Sequence, residues 1–299
     1  MENIITQLFN GISLGSIMLL IAIGLAITFG LMNVINMAHG ELIMVGAYTT
    51  YVIQNIFSTY FPSFFSYYYF IAIPVAFLAA GMIGFLIEKF LIQYLYHRPL
   101  DSLLATWGVS LILQQTARTI FGAPNVAVEA PGWLNGGVEI AGAILPYKRL
   151  FILAIVILSV ILLYLYLEKS ASGRKIRAVT LNRPMASCLG VSVRKVDALA
   201  FTIGSGLAGI AGCALTAIGS IGPSIGTYYI VDAFMVVIFG GIGKIIGTVF
   251  GAFGVGLVST FVEYTSSATT AKVMVFLMII IFLQWRPSGL VYVKTRSLD

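Results

Sequence analysis

The chain has 299 residues, of which 59% are hydrophobic and only 9% charged, and its mean hydropathy is +1.00. That balance excludes an ordinary soluble domain and points to an integral membrane protein. The formal net charge of +6 does not indicate nucleic acid, because the basic residues gather in one loop and the C-terminal tail instead of interleaving with aromatics across a surface.

The first 15 residues, MENIITQLFNGISLG, lack the positive n-region of a signal peptide, and no small-residue cleavage pattern follows. The first apolar run, Ile12 to Phe29, is therefore expected to remain as a helix. It is continuous and longer than the roughly 10-residue alternating strands of a membrane barrel. So are most of the runs that follow, and the expected class is all-α.

The stretch VINMAHGE, Val34 to Glu41, interrupts this pattern. Asn33, Asn36, His39 and Gly40 are poor helix formers, which suits a break between two helices. At membrane depth such a break is tolerated only where it is buried in protein or lines a cavity. An ordinary cytoplasmic turn is the alternative, because the flanking runs Ile12 to Phe29 and Leu42 to Phe57 are each long enough to span. In either case polar groups must face protein or water, since a charge at mid-bilayer costs roughly 2.5 to 3.5 kcal/mol.

Tyr67 to Ile87 is a further apolar run. Ser102 to Phe121, like Leu42 to Phe57, is more polar but still long enough, and it carries Thr106 and Gln114. Arg118 lies near its end, where a long side chain can snorkel. Leu150 to Leu167 follows. The loop from Glu168 to Asp197 then collects Lys169, Arg174, Lys175, Arg177, Arg183, Arg194 and Lys195, which the positive-inside rule places in the cytoplasm. Lys89, Arg98, Lys244, Arg286, Lys294 and Arg296 fall on the same side if nine passes are threaded with the N-terminus outside. The expectation is a polytopic transmembrane helical bundle of eight to ten helices, nine favoured.

The remaining runs are Ala198 to Ile218, Tyr229 to Phe239, Ile245 to Val262 and Val273 to Trp285. Gly204, Ala208 and Gly212 recur four apart in one, and Gly243, Gly247 and Gly251 at the start of another. Such spacing serves close helix packing in lipid, or smooth faces that slide. Asp232 sits inside the run from Tyr229. No polar block between the runs is large enough to fold as a separate aqueous domain, so residues 1–299 form one polytopic bundle.

Chemistry-bearing motifs are missing. FGGIGK, Phe239 to Lys244, lacks the first glycine of a Walker motif and has Ile245 where Ser or Thr is needed. HExxH and GxSxG are absent, and with only His39 and His97 available there is no metalloprotease ligand set. Cys188 and Cys213 lie at different depths, so neither a disulfide nor a metal is expected. Nothing converges as nucleophile, base and orienting group, and the chain is not expected to be an enzyme.

GLMNVINMAHGELIMVGAY, Gly30 to Tyr48, resembles the N-terminal signature of the permease subunits of bacterial ABC importers of the branched-chain amino-acid and urea type. The resemblance continues through SGRKIRAVTLNRPMASCLGVSVRKVDALAF, Ser172 to Phe201, and through FGGIGKIIGTVFGAFGVG and WRPSGL. Within that family, Arg98 to Asn125 and Tyr228 to Gly241 look most like the urea-transport permease subunit.

The resemblance implies a permease translocating urea or short-chain amides by alternating access. The runner-up keeps the architecture and carries branched-chain or other amino acids, and a passive urea channel is a more distant alternative. It also implies partners: a second homologous permease, two cytoplasmic ATP-binding subunits that hold ATP and Mg, and an extracytoplasmic substrate-binding protein. No cofactor on this chain is implied. The implied location is the bacterial cytoplasmic (inner) membrane.

In the segment 168–197, the positions Gly173, Arg174, Arg177, Ala178, Ala186 and Gly190 match the family's coupling pattern, expected as a short basic helix that docks on the ATPase. Urea is neutral, with N–H donors and one carbonyl, so its path needs acceptors and at least one donor. The candidates are Asn36, His39, Glu41, Thr106, Gln114 and Asp232. Asn, Thr and Gln also serve as ordinary interhelical glue, and the scarcity of intramembrane charge leans towards a neutral solute.

Overall fold

A computed structural model describes residues 2–32, 34–96, 98–140 and 143–291. Asn33, His97, Lys294 and Arg296, all used in the sequence reading, lie outside the described residues. Eleven α-helices run in chain order among the described residues: α1 (Glu2–Met32), α2 (His39–Tyr60), α3 (Tyr68–Phe90), α4 (Pro99–Phe121), α5 (Tyr147–Lys169), α6 (Ala171–Leu181), α7 (Arg183–Cys188), α8 (Val193–Leu215), α9 (Ile225–Gly240), α10 (Ile245–Thr265) and α11 (Ala268–Trp285). Each apolar run read from the sequence corresponds to one of the nine helices other than α6 and α7. Six helices, α1, α3, α5, α8, α10 and α11, are long and apolar enough to cross a membrane by length and composition. The 16-residue α9 is apolar but shorter, and α2 and α4 are long but more polar.

Helices α1 and α8 form the centre. α1 packs along α10 and α8, and α8 also packs against α2 and α3. From Ile17 to Ala26 α1 is buried on every side, as is α8 from Gly204 to Leu215, which is how a helix apolar all round behaves inside a bundle. The outer helices α5 and α11 instead present Leu158, Ile161, Leu162, Phe276, Leu277 and Ile281 on the outside, the exposure expected of side chains that meet lipid.

The small residues sit at the close crossings. A Cβ on Gly204 would lie 2.6 Å from the Gly24 carbonyl oxygen of α1, and Gly212 faces Ile43 and Ala47 of α2 in the same way. In α10, Gly247 abuts Gly240, and a Cβ on Gly251 would lie 2.8 Å from the Val236 carbonyl oxygen. In this conformation both glycine series therefore serve packing, where the absence of a side chain lets backbones touch.

The basic segment and the α1, α3, α5, α9 and α11 C-terminal ends share one end of the bundle: Arg183 reaches the Leu31 carbonyl, and Arg177, Lys244 and Leu31 line one crevice. The opposite end is covered by the 122–146 connection. It contains an antiparallel hairpin, β1 (Gly137–Ile140) with β2 (Ala143–Pro146), paired from Gly137↔Pro146 to Ile140↔Ala143. The apolar-run reading did not anticipate this small sheet. The connection is tied down by a bridge between Val126 and Ile221 and by hydrogen bonds from the Tyr68 hydroxyl to the Glu129 carbonyl (2.7 Å) and from the Trp133 indole N–H to the Ser66 carbonyl (2.7 Å).

Candidate functional site

The connection between α1 and α2 decides between the two sequence readings of VINMAHGE. It is non-helical and buried, with Val34 at 3%, Asn36 at 1% and Ala38 at 0% exposure, so it is a break enclosed by protein and not a solvated turn. Buried backbone groups need partners, and the sequence supplies them. The Asn36 Oδ1 accepts from the Ala38 N–H at 3.0 Å. The Thr106 hydroxyl of α4 accepts from the Met37 N–H at 3.1 Å while donating to the Ser102 carbonyl at 2.7 Å.

Immediately after this break, α2 begins against α9. Gly40 and Gly226 meet backbone to backbone, and a Cβ on Gly40 would lie 2.5 Å from the Gly226 carbonyl oxygen. That close approach carries the first turn of α9 to the first turn of α2, so Thr227 stands beside Glu41. From the other flank, α4 presents Ser102, Thr106, Ser110 and Gln114, four apart and therefore on one face.

Three side chains converge on one carboxylate oxygen. The Oε1 of Glu41 accepts from the Gln114 amide at 2.8 Å, from the Ser110 hydroxyl at 3.0 Å and from the Thr227 hydroxyl at 3.4 Å. Gln114 also donates to the Thr227 hydroxyl at 3.1 Å. Glu41 is 1% exposed, and its second oxygen, Oε2, has no hydrogen-bond partner among the described residues. No cation pairs with it directly among those residues: its hydrogen-bond donors are all neutral, and Arg118 acts on it only at a distance. The site can accept N–H groups and can offer the Ser110, Thr227 and Gln114 side chains in return.

Of the six pathway candidates, Glu41 and Gln114 are brought together, and Thr106 and Asn36 hold the break next to them. His39 points elsewhere: its Nε2 donates to the Ile21 carbonyl of α1 at 3.2 Å, at 0% exposure. Asp232 is apart from the cluster and pairs with Lys272 of α11 at 3.0 Å, where Lys272 also donates to the Tyr228 carbonyl at 3.2 Å. Ser110 and Thr227 were not singled out from the sequence. The four-residue polar spacing on α4 would have found Ser110, whereas no local signal marks Thr227.

The segment 168–197 folds as two capped helices instead of one short helix. The Ser170 hydroxyl accepts from the Gly173 N–H at 2.8 Å to start α6, and the Asn182 Oδ1 accepts from the Met185 N–H at 3.0 Å to start α7, both N-caps of preferred type. Gly190 ends α7 at φ +81°, where a side chain would be strained. Gly173 is packed on α5, with room for no Cβ beside Leu167. Arg177 pairs with Glu168, and the Arg174 guanidinium donates to the Lys169 carbonyl at 3.2 Å, so both lean back on the end of α5.

Ala178 is exposed and Ala186 buried. Leu181 at the end of α6, Met185 in α7 and Leu189 just after it are 86%, 57% and 78% exposed, a ridge of protruding apolar side chains along the α6–α7 segment that the charge pattern had hidden.

Arg183 anchors this unit to the bundle. It pairs with Asp197 of α8, which is 0% exposed, donates to the Leu31 carbonyl of α1 at 3.1 Å, and lies over the Tyr96 ring at 5.2 Å. Burial and the Asp197 and Glu88 carboxylates hold the Tyr96 hydroxyl well above the usual tyrosine range, so it stays protonated and donates to the Glu88 Oε1 at 2.9 Å.

Residues 7–283 match the family described as branched-chain amino acid transport system / permease component. The high-affinity branched-chain amino acid transport system permease protein LivH of Salmonella typhimurium is 31% identical over 95% of this chain and 94% of its own length. LivH of Escherichia coli is 30% identical over the same shares, and BraD of Pseudomonas aeruginosa 28%. No solved structure matches.

A polytopic bundle of the all-α class with this kinship is a multi-pass inner-membrane transport subunit and not an enzyme. It works with ATPase and substrate-binding partners as ABC importers do. The chain belongs to the family of permease components of branched-chain amino acid transport systems.

Proposed function

We propose that this permease translocates branched-chain amino acids across the inner membrane by alternating access. The observation that carries the reading is the similarity to branched-chain amino acid permeases along 95% of the chain. The whole of 1–299 acts as one permease domain that binds no cofactor of its own and pairs with a second homologous permease. ATP and Mg are held by two separate cytoplasmic subunits, and an extracytoplasmic protein delivers the substrate.

Segment 168–197 is the coupling element. The exposed side chains of Leu181, Met185 and Leu189 support this, because apolar groups presented at the basic end of the bundle suit a partner groove. Arg183 then links that ridge to α1 and α8, the two helices at the centre of the bundle. Closure of the ATPases thereby moves the bundle as a rigid lever.

Urea or a short-chain amide is the second reading, favoured by a different observation. Glu41, Ser110, Gln114 and Thr227 offer acceptors and neutral donors with no cation among them, which suits a neutral solute rich in N–H groups. On this reading Glu41 and Gln114 contact the solute directly, with Thr106 and Asn36 holding the break beside them.

The deciding experiment is uptake of radiolabelled leucine and urea into vesicles holding the complete importer. Saturable leucine uptake without urea uptake supports the first reading. Urea uptake without leucine uptake replaces it with the second.

A further inference from the structure

At the end of the bundle opposite the coupling segment lies a cavity of about 470 Å³ among α1, α5, α9, α10 and the turn after α8, within the roughly 300 to 1,000 Å³ of small-molecule sites. It is separate from the Glu41 cluster: Ile225 and Tyr229 of α9 line it, while Thr227 reaches Glu41.

Its walls are of three kinds. Arg149, half-buried at the start of α5, faces it and makes no ion pair or hydrogen bond among the described residues. Glu263 near the end of α10 also lines it, and the two do not pair with each other. Ser13 contributes a hydroxyl that is 1% exposed and has no partner among the described residues. Leu14, Ile17, Leu215 and Ile225 supply apolar wall.

A guanidinium left without a carboxylate, in a partly dehydrated wall, is an unmet demand for a planar anion that can take two parallel N–H bonds. A carboxylate in the same cavity offers a place for a cation, and the apolar side receives a hydrocarbon group. One small molecule carries all three features at short range.

We propose that this cavity binds a free aliphatic α-amino acid as its zwitterion, with Arg149 on the carboxylate, Glu263 on the ammonium and the Leu14 and Ile17 side of α1 against the side chain. It is the receiving site for substrate at the outer mouth of the permease. The proposal rests on the amino-acid reading above and adds the residues that would enforce it.

The test uses the complete importer in proteoliposomes with Cys188→Ser and Ser220→Cys, so that an external impermeant maleimide reads the cavity rim, where Ser220 is exposed. Leucine should slow labelling several-fold. Leucine methyl ester, which lacks the carboxylate, and 4-methylpentanoate, which lacks the ammonium, should not. Arg149→Gln should abolish protection and raise the KM for leucine uptake by at least about tenfold with kcat little changed, and Arg149→Lys should recover part of both.

Protection that survives removal of either charged group from the ligand, or that follows phospholipid composition instead of leucine, overturns the site. If the parent importer takes up leucine yet leucine gives no protection, the site falls while the transport reading stands. If the parent takes up no leucine, that reading fails and the site fails with it. The ligand series needs only the parent protein, so a failure of Arg149→Gln to assemble does not block the decision.

Discussion

Glu41 gathers the polar bonding of the α2, α4 and α9 junction onto one oxygen, and its consequences are testable one side chain at a time. Hydrogen bonds to a charged group contribute about 1.5 to 3 kcal/mol each. Glu41→Ala should therefore lower initial uptake by at least about tenfold at unchanged membrane abundance. Glu41→Gln, which keeps an acceptor oxygen, should lose less. Uptake rates normalised to immunoblot signal check this, and full activity of Glu41→Ala would remove the cluster from the pathway.

Arg183 gives a second prediction at this scale. Its removal leaves Asp197 buried without a cation, so Arg183→Ala should destabilise the protein by about 3 to 5 kcal/mol. Replacing both partners, as in Arg183→Met with Asp197→Leu, should recover most of that loss. A double-mutant cycle in thermal unfolding measures it.

The same residues show what was legible. Glu41, Gln114 and Thr106 stood out because polar groups in apolar runs require partners. His39 looked alike in sequence but is aimed at α1, and only the three-dimensional crossing separates the two cases. Thr227 is visible only once Gly40 and Gly226 have brought their helices together.

Helices other than α6 and α7 follow from the apolar runs, since in lipid every backbone group must be satisfied within its own segment. The break at 34–38 was readable as a break, but its burial was not, because burial depends on Thr106 and Asn36 being in place. The hairpin at 137–146 carries no long apolar run and escaped the same reading. The coupling role proposed for segment 168–197 came from its resemblance to the family's glycine, arginine and alanine pattern, since charge alone fits an ordinary cytoplasmic loop; the exposed Leu181, Met185 and Leu189 emerge only when Asn182 caps a second helix.

Two predictions belong to elements. Gly226→Ala should push α9 off α2, costing about 1 to 3 kcal/mol as overpacking does, and should lower uptake by separating Thr227 from Glu41. Retained thermal stability and uptake would contradict the crossing. Leu189→Asp or a bulky residue at Gly190 should leave the permease in the membrane but uncouple ATP hydrolysis from uptake, read as ATPase turnover without substrate accumulation. Normal uptake in both would reassign the ridge.

For the whole molecule, the excess of basic residues at one end of the bundle, against Arg118, Lys148, Arg149 and Lys272 at the other, sets the orientation. Cys188 is exposed on α7 and Cys213 is buried. An impermeant maleimide should therefore label the chain in inside-out vesicles and not in right-side-out ones, and the reverse pattern would invert the topology. On the function proposed above, this permease moves its substrate only when separate ATPases drive it through the α6–α7 segment. The most direct measurement is leucine accumulation in proteoliposomes containing the complete importer and external binding protein, with and without ATP and Mg on the ATPase side. Leucine should accumulate above the external concentration with ATP and not at all without it. Flux that equilibrates leucine in the absence of ATP would contradict it and make the chain a passive conduit.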